Sequence, residues 1–175
     1  YAVAAALYER ERSGKGQRID IAMLDAVVSL LSDVALKVRA DGKDFAPFGS
    51  GHPDIVPYQA FKARDGYFIV ACLTNAFWKR LPAAIGHPEL LEDTRFTGMK
   101  DRVINKAALV EILNGIFAGN DVAHWIERIE AADIPTCKVN TVKDVFAMPQ
   151  AAVNEILVKV AHPTRGEIEI LNTPV

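Results

Sequence analysis

The stretch from Phe48 to Asn75 constrains this chain more than any other. It opens on Phe-Gly-Ser-Gly-His-Pro, continues through Pro57, and then alternates toward Asp65-Gly66. Gly49 and Gly51 admit backbone conformations closed to other residues and let a ligand approach the main chain. Pro53 and Pro57 stiffen the loop exit and push the residues before them toward extended geometry. Tyr58–Ala63 and Tyr67–Leu73 flank Asp65-Gly66, which predicts a hairpin closed by a two-residue turn. Thr74 or Asn75 then supplies an oxygen to cap a following helix. A glycine loop tied to a hairpin suits a binding site, and such loops also occur as plain turns.

Composition narrows the classes of function. Half of the 175 residues are hydrophobic and 24% are charged, an ordinary globular balance. A net charge of -2 argues against nucleic acid or an anionic membrane as a partner. No apolar run approaches the ~20 residues that span a bilayer. Cys72 and Cys137 lack metal or disulfide-framework spacing, which favours a reducing, cytoplasmic setting, and both read as small buried hydrophobes.

Taken in order, the chain reads as an α/β protein cut at both ends. A helix over Tyr1–Arg12 closes at Gly14 in the left-handed conformation. Lys15 follows a helix C-terminus and so lacks the helix N-terminus of a phosphate-binding loop. Arg18–Ala22 alternates like a strand. A long helix from Leu24 to about Arg39 follows, apolar on two faces and therefore expected between layers or against a partner chain. After the hairpin, Ala76–Ile85 reads as a helix with a kink or break at Pro82, ended by Gly86. Pro88–Leu91 is a short turn, and Arg95–Arg102 reads as loop. Two amphipathic helices come next, one after Asn105 and one from Asp121, with Trp125 as a packing anchor. Cys137–Val139 is extended. Thr141 and Asp144 form a capping box for a helix that ends at Pro149. Ile156–Val160 and Glu167–Leu171 bracket a second hairpin.

The residues carry little chemistry of their own. His52, His87 and His162 precede prolines in turns, and His124 falls off its helix's apolar stripe toward an exposed face. None stands at metal-ligand spacing, so no metal site is expected. Only His52 lies beside the glycine loop. Glu127 and Glu130 read as solvated helix surface. Ser13, Ser29, Ser32 and Ser50 lack a nucleophile elbow.

Several stretches resemble the family III CoA-transferases. They include Ala5-Ala6-Leu7-Tyr8-Glu9-Arg10, Ser13–Gln17, Ile19–Ala26, Gly51-His52-Pro53 and Ile55–Phe61. Asp65-Gly66-Tyr67, Asp93–Phe96, Arg102–Asn105, Ile134-Pro135, Val139-Asn140, Pro149-Gln150 and His162-Pro163 continue the match in order. The resemblance implies a two-domain subunit, a large Rossmann-like domain and a smaller α/β domain, with two subunits interlocked as a homodimer. Residues 1–40 would then end the large domain, 41–57 form a linker bearing the glycine loop, 58–150 form the small domain, and 151–175 return.

It also implies an upstream aspartate that attacks an acyl-CoA and carries CoA as an aspartyl thioester to an acceptor acid. No residue of this chain occupies that position, so no catalytic residue is expected within it and the chain alone should be inactive. CoA thioesters serve as substrate, with no permanently bound cofactor. Gly49, Ser50, Gly51, His52 and Pro53 align with the family's substrate-covering loop, and Thr74 and Asn75 are candidates beside the substrate. One racemase form carries glutamate at the position of Thr74. The Ile-Val-Pro-Tyr-Gln-Ala-Phe-Lys run is closer to transferases of dicarboxylic acids such as the succinyl-CoA–glutarate type. The alternatives are an α-methylacyl-CoA racemase of the same family, and a non-catalytic module for dimerisation or ligand binding.

Overall fold

The computed structural model describes residues 1–43, 47 and 49–173, apart from the side chain of Asp33. Residues 44–46 and 48 of the expected linker and residues 174–175 of the returning segment lie outside the described residues. The chain divides into two compact units, Tyr1–Pro47 and Phe48–Val175.

The first unit is helical. Helix α1 (Ala2–Ser13) ends as expected at Gly14, which takes φ 68° and donates its N–H to the Arg10 carbonyl. Residues 18–22 form no strand, contrary to their alternation. A strand exists only by sharing its N–H and C=O groups with a neighbour, and no partner adjoins them among the described residues. Their local bond is instead an ion pair, Arg18 to Asp20 at 2.8 Å.

The expected long helix is two helices, α2 (Met23–Leu30) and α3 (Ser32–Asp41). Leu31 lies between them, its N–H reaching back only to the Val28 carbonyl, and Ser32 opens α3 at φ 45°. The Ser29 hydroxyl bonds the Ala26 carbonyl at 2.7 Å, the kind of local bond that competes with a helical ladder. The two apolar faces are not buried within this chain. Met23 and Leu30 are each 82% exposed, with Leu24, Val27, Val28 and Leu31 exposed beside them.

The second unit holds the core. Strands β1 (Tyr58–Lys62), β2 (Tyr67–Ala71) and β3 (Thr136–Lys138) form an antiparallel sheet in that order. Tyr58 pairs with Ala71 and Lys62 with Tyr67, while Ile69 faces Cys137. The hairpin turn lies one residue earlier than expected. The Ala63 N–H donates to the Gly66 carbonyl, leaving Arg64 and Asp65 as the turn residues. The shift has a tertiary cause: Asp65 Oδ1 accepts the Val122 N–H at 2.8 Å, and Arg64 pairs with Asp121.

Helix α4 (Asn75–Ala84) starts under a Thr74 cap, the hydroxyl accepting the Phe77 N–H, and it runs through Pro82 without a break. Short 3-10 turns follow at Pro88–Leu91 and Thr94–Phe96. Arg95–Arg102, read as loop, instead holds most of a helix, α5 (Met99–Ile104). Its start is fixed by Asp101, whose carboxylate accepts the Gly98 N–H at 2.9 Å. Helices α6 (Lys106–Phe117) and α7 (Val122–Ala131) carry the expected apolar stripes. Leu109, Leu113 and Phe117 of α6 and Val122, Trp125 and Ile129 of α7 are buried. The Phe117 ring meets Phe61, Phe68 and Trp125 edge-on, with centroids 5.0 to 5.2 Å apart. Trp125 is the anchor its spacing predicts, its indole N–H bonded to the Phe117 carbonyl.

Thr141 and Asp144 do form a capping box, at the start of α8 (Val142–Ala147). Pro149 does not end that helix but begins α9 (Pro149–Val153), a first position its fixed φ suits. Strands β4 (Leu157–His162) and β5 (Gly166–Leu171) pair as the second hairpin. Cys72 is buried as expected, whereas Cys137 is exposed because the outer strand leaves it facing solvent. His124 is half-buried against Trp125 rather than exposed, its ring 4.9 Å from the indole. The chain is thus a mixed α/β structure of antiparallel hairpins and helices. Among the described residues no helix is long and apolar enough to cross a membrane.

Candidate substrate loop and its anchors

Residues 49–57 reach β1 through a cis Val56–Pro57 peptide, and hydrogen bonds tie the loop to the strand it feeds. Ser50 Oγ accepts the Ala60 N–H at 3.2 Å. The His52 N–H donates to the Tyr58 carbonyl at 2.8 Å, and the imidazole stacks on the Tyr58 ring at 5.7 Å, 10° from parallel. His52 Nδ1 accepts the Asp54 N–H, which fixes the proton, when neutral, on Nε2. Gly49 takes φ 59°, a conformation that strains any residue with a side chain. Among the described residues the N–H groups of Ser50 and Gly51 have no acceptor, although Gly51 is buried. Ser50 is exposed, so Gly51 is the shielded donor, and an unpaired N–H of that kind is the chemistry an oxyanion requires.

The five loop candidates, Gly49, Ser50, Gly51, His52 and Pro53, therefore form one continuous feature. Thr74 and Asn75 belong to a second, the start of α4. Thr74 is engaged as the helix cap, and Asn75 Oδ1 accepts from Arg102 Nη2 at 2.9 Å.

Arg102 links the two features, and its position was not legible as a site residue in the sequence. It is 0% exposed in α5. Nε donates to the Val56 carbonyl at 2.8 Å, and Nη1 donates to the carbonyls of Phe96 and Thr97 at 3.1 and 3.4 Å. The guanidinium lies 4.9 Å from the Trp78 ring centroid. No carboxylate bonds it among the described residues. Carbonyl dipoles, one amide oxygen and an aromatic face solvate the charge instead. Burial lowers the Arg102 pKa from its ordinary value, opposed by the neighbouring Cys72 and Asp101. Burial likewise pushes the Cys72 thiol up to about 12, against the pull of Arg102 and Arg80. Cys72 is thus a protonated, inert thiol at neutral pH.

Lys106, one helical turn beyond Arg102, is a second cation on the same loop. Its Nζ donates to the His52 carbonyl at 3.1 Å. Other charged pairs lie apart from this site. Arg95 bonds both carboxylate oxygens of Asp93 and lowers its pKa. No group of three His, Cys, Asp or Glu among the described residues is placed to hold a metal ion.

The model of CoA-transferase family III matches residues 1–175. The chain is 36% identical over 169 residues to the mouse (Mus musculus) succinyl-CoA:glutarate CoA-transferase, covering 97% of this chain and 39% of that protein. It is 36% identical over 157 residues to the acetyl-CoA:oxalate CoA-transferase of Acetobacter aceti, covering 90% of this chain and 40% of that protein. Among solved structures, a CAIB/BAIF family protein from Brucella suis superposes with a TM-score of 0.82 at 35% identity, over 99% of this chain and 45% of that one. The chain therefore spans about two fifths of the length of the curated relatives it matches.

Proposed function

Because this chain belongs to CoA-transferase family III, we propose that it is part of an enzyme moving CoA from an acyl-CoA to a carboxylic acid. The favoured acids are dicarboxylates, in keeping with the succinyl-CoA:glutarate relative. The reaction runs through an aspartate expected before Tyr1 in the full-length protein. Its carboxylate attacks the thioester carbonyl, the C–S bond breaks, and CoA leaves as thiolate from a mixed anhydride. The thiolate then attacks the aspartyl carbonyl and releases the donor as carboxylate, leaving an aspartyl-CoA thioester. The acceptor carboxylate repeats these two steps in reverse, which regenerates the aspartate.

The part of this chain in that cycle is the loop 49–53. One observation carries its role: among the described residues the N–H groups of Ser50 and Gly51 have no acceptor, while the Ser50 hydroxyl and the His52 N–H are tied to β1. Each attack builds negative charge on a carbonyl oxygen, and fixed donors stabilise that charge without reorganising. The same reading takes residues 1–40 as the end of a large Rossmann-like domain, 41–57 as linker, 58–150 as the small domain and 151–175 as the return. It also takes the working enzyme to be an interlocked cytoplasmic homodimer, using CoA thioesters as substrates.

The test uses the full-length protein, incubated with succinyl-CoA and analysed by intact mass spectrometry. A covalent CoA or acyl adduct on an aspartate preceding Tyr1, with transfer to a dicarboxylate, is the expected result. Exchange of the α-proton of a 2-methylacyl-CoA in deuterated water, without an adduct, would replace this reading with a racemase. Neither signal would leave a binding or dimerisation module.

A further inference from the structure

Arg102 and Lys106 stand four residues apart on the α5–α6 edge, and each donates to a main-chain carbonyl of the glycine-loop segment. Arg102 holds Val56, at the loop exit, and Lys106 holds His52, at its middle. We propose that this pair of cations positions the loop, fixing residues 52–57 so that the Ser50 and Gly51 N–H groups face the acyl carbonyl and exclude water. The inference rests on the transferase reading given above.

Three features carry it. Arg102 is fully buried without a carboxylate partner among the described residues, so its charge is spent on carbonyls and Asn75 rather than on an ion pair. An apolar side chain of similar volume cannot replace it, because the carbonyls of Val56, Phe96 and Thr97 would lose their donor. Lys106 occupies the first turn of α6, where the helix dipole disfavours a cation. Its bond to the His52 carbonyl gives that charge a use. Finally, the same Arg102 guanidinium bonds Asn75, so one side chain ties the loop exit to the start of α4. Both cations act through the backbone they hold.

A loop held loosely admits water to the acyl-enzyme, which then yields free acid and free CoA thiol instead of a new thioester. The full-length enzyme is therefore assayed with succinyl-CoA and its acceptor dicarboxylate, reading transfer and thiol release separately. Lys106→Met is expected to raise the ratio of hydrolysis to transfer about tenfold with an unaltered melting temperature. Lys106→Arg, which keeps a donor, should restore a ratio within about twofold of the parent. Arg102→Lys, if folded, should behave as Lys106→Met does. If it fails to fold, Lys106→Met decides. Amide exchange supplies a reading independent of substrate: in Lys106→Met the His52 amide, bonded to the Tyr58 carbonyl, is expected to exchange about tenfold faster, with those of β2 unchanged. An unchanged ratio together with unchanged loop exchange overturns the inference. Absence of transfer in the parent enzyme defeats the transferase reading instead, and the exchange result alone then judges the anchors.

Discussion

Arg102 is the residue whose removal should cost the most. Replacing it by methionine keeps volume but orphans the carbonyls of Val56, Phe96 and Thr97 and the Asn75 amide oxygen. Each buried acceptor left unpaired costs about 1–3 kcal/mol, so Arg102→Met is expected to lower stability by roughly 3 kcal/mol or more, read from urea midpoints. Cys72 makes a pH-dependent prediction of the opposite kind. Its thiol titrates near 9.0 when unfolded and at about 12 when folded. Below the lower value both states hold the proton, and stability is fully present. Above it only the unfolded chain releases the proton, so stability falls by roughly 1.4 kcal/mol per pH unit until the folded value is reached. Urea melts above about pH 9 should show this slope, and Cys72→Ala should lack it. A thiol reagent at neutral pH should label exposed Cys137 in the native chain and spare Cys72.

Helix starts are where single side chains govern whole elements. Asp121 accepts the His124 N–H at 2.9 Å and also pairs with Arg64 of the hairpin turn at 3.2 Å. Asp121→Ala should therefore cost about 1 kcal/mol, mostly through the cap, because the ion pair is exposed. Equilibrium unfolding with an unchanged denaturant slope would check it. The caps at Thr74 and Thr141 were legible in the sequence because capping is local chemistry, decided within three residues. Helix α5 was not legible. It is short, its N-cap is Gly98, and its buried position is filled by Arg102. The turn of the first hairpin was misplaced by one residue for a related reason. Asp65 satisfies a helix 57 positions away, which no local rule for Asp-Gly includes.

The two units differ in how much apolar surface they bury. Neither α1 nor α2 contains a buried residue, whereas the unit from Phe48 onward encloses a continuous core running from Val56 to Ile134. Chain order is held by burial against conformational entropy, roughly 1–2 kcal/mol per residue for the backbone alone. In the polypeptide 1–175 alone, amides of α1 and α2 are therefore expected to exchange near the unfolded rate, while those of Phe68, Val70 and Leu113 stay protected. Equal protection in both units would contradict this account.

The sequence alone determined the periodic elements of the core, the caps, the glycine loop and the family resemblance. Each is written in residues that are neighbours along the chain or recur at helical spacing. Tertiary structure alone decided two things. It denied Arg18–Ala22 a strand, because a ladder needs a second strand beside it. It brought Arg102 onto the carbonyl of Val56, 46 positions earlier, and Lys106 onto that of His52, 54 positions earlier. Main-chain carbonyls are identical in every residue, so no side-chain pattern announces which of them a distant cation will hold.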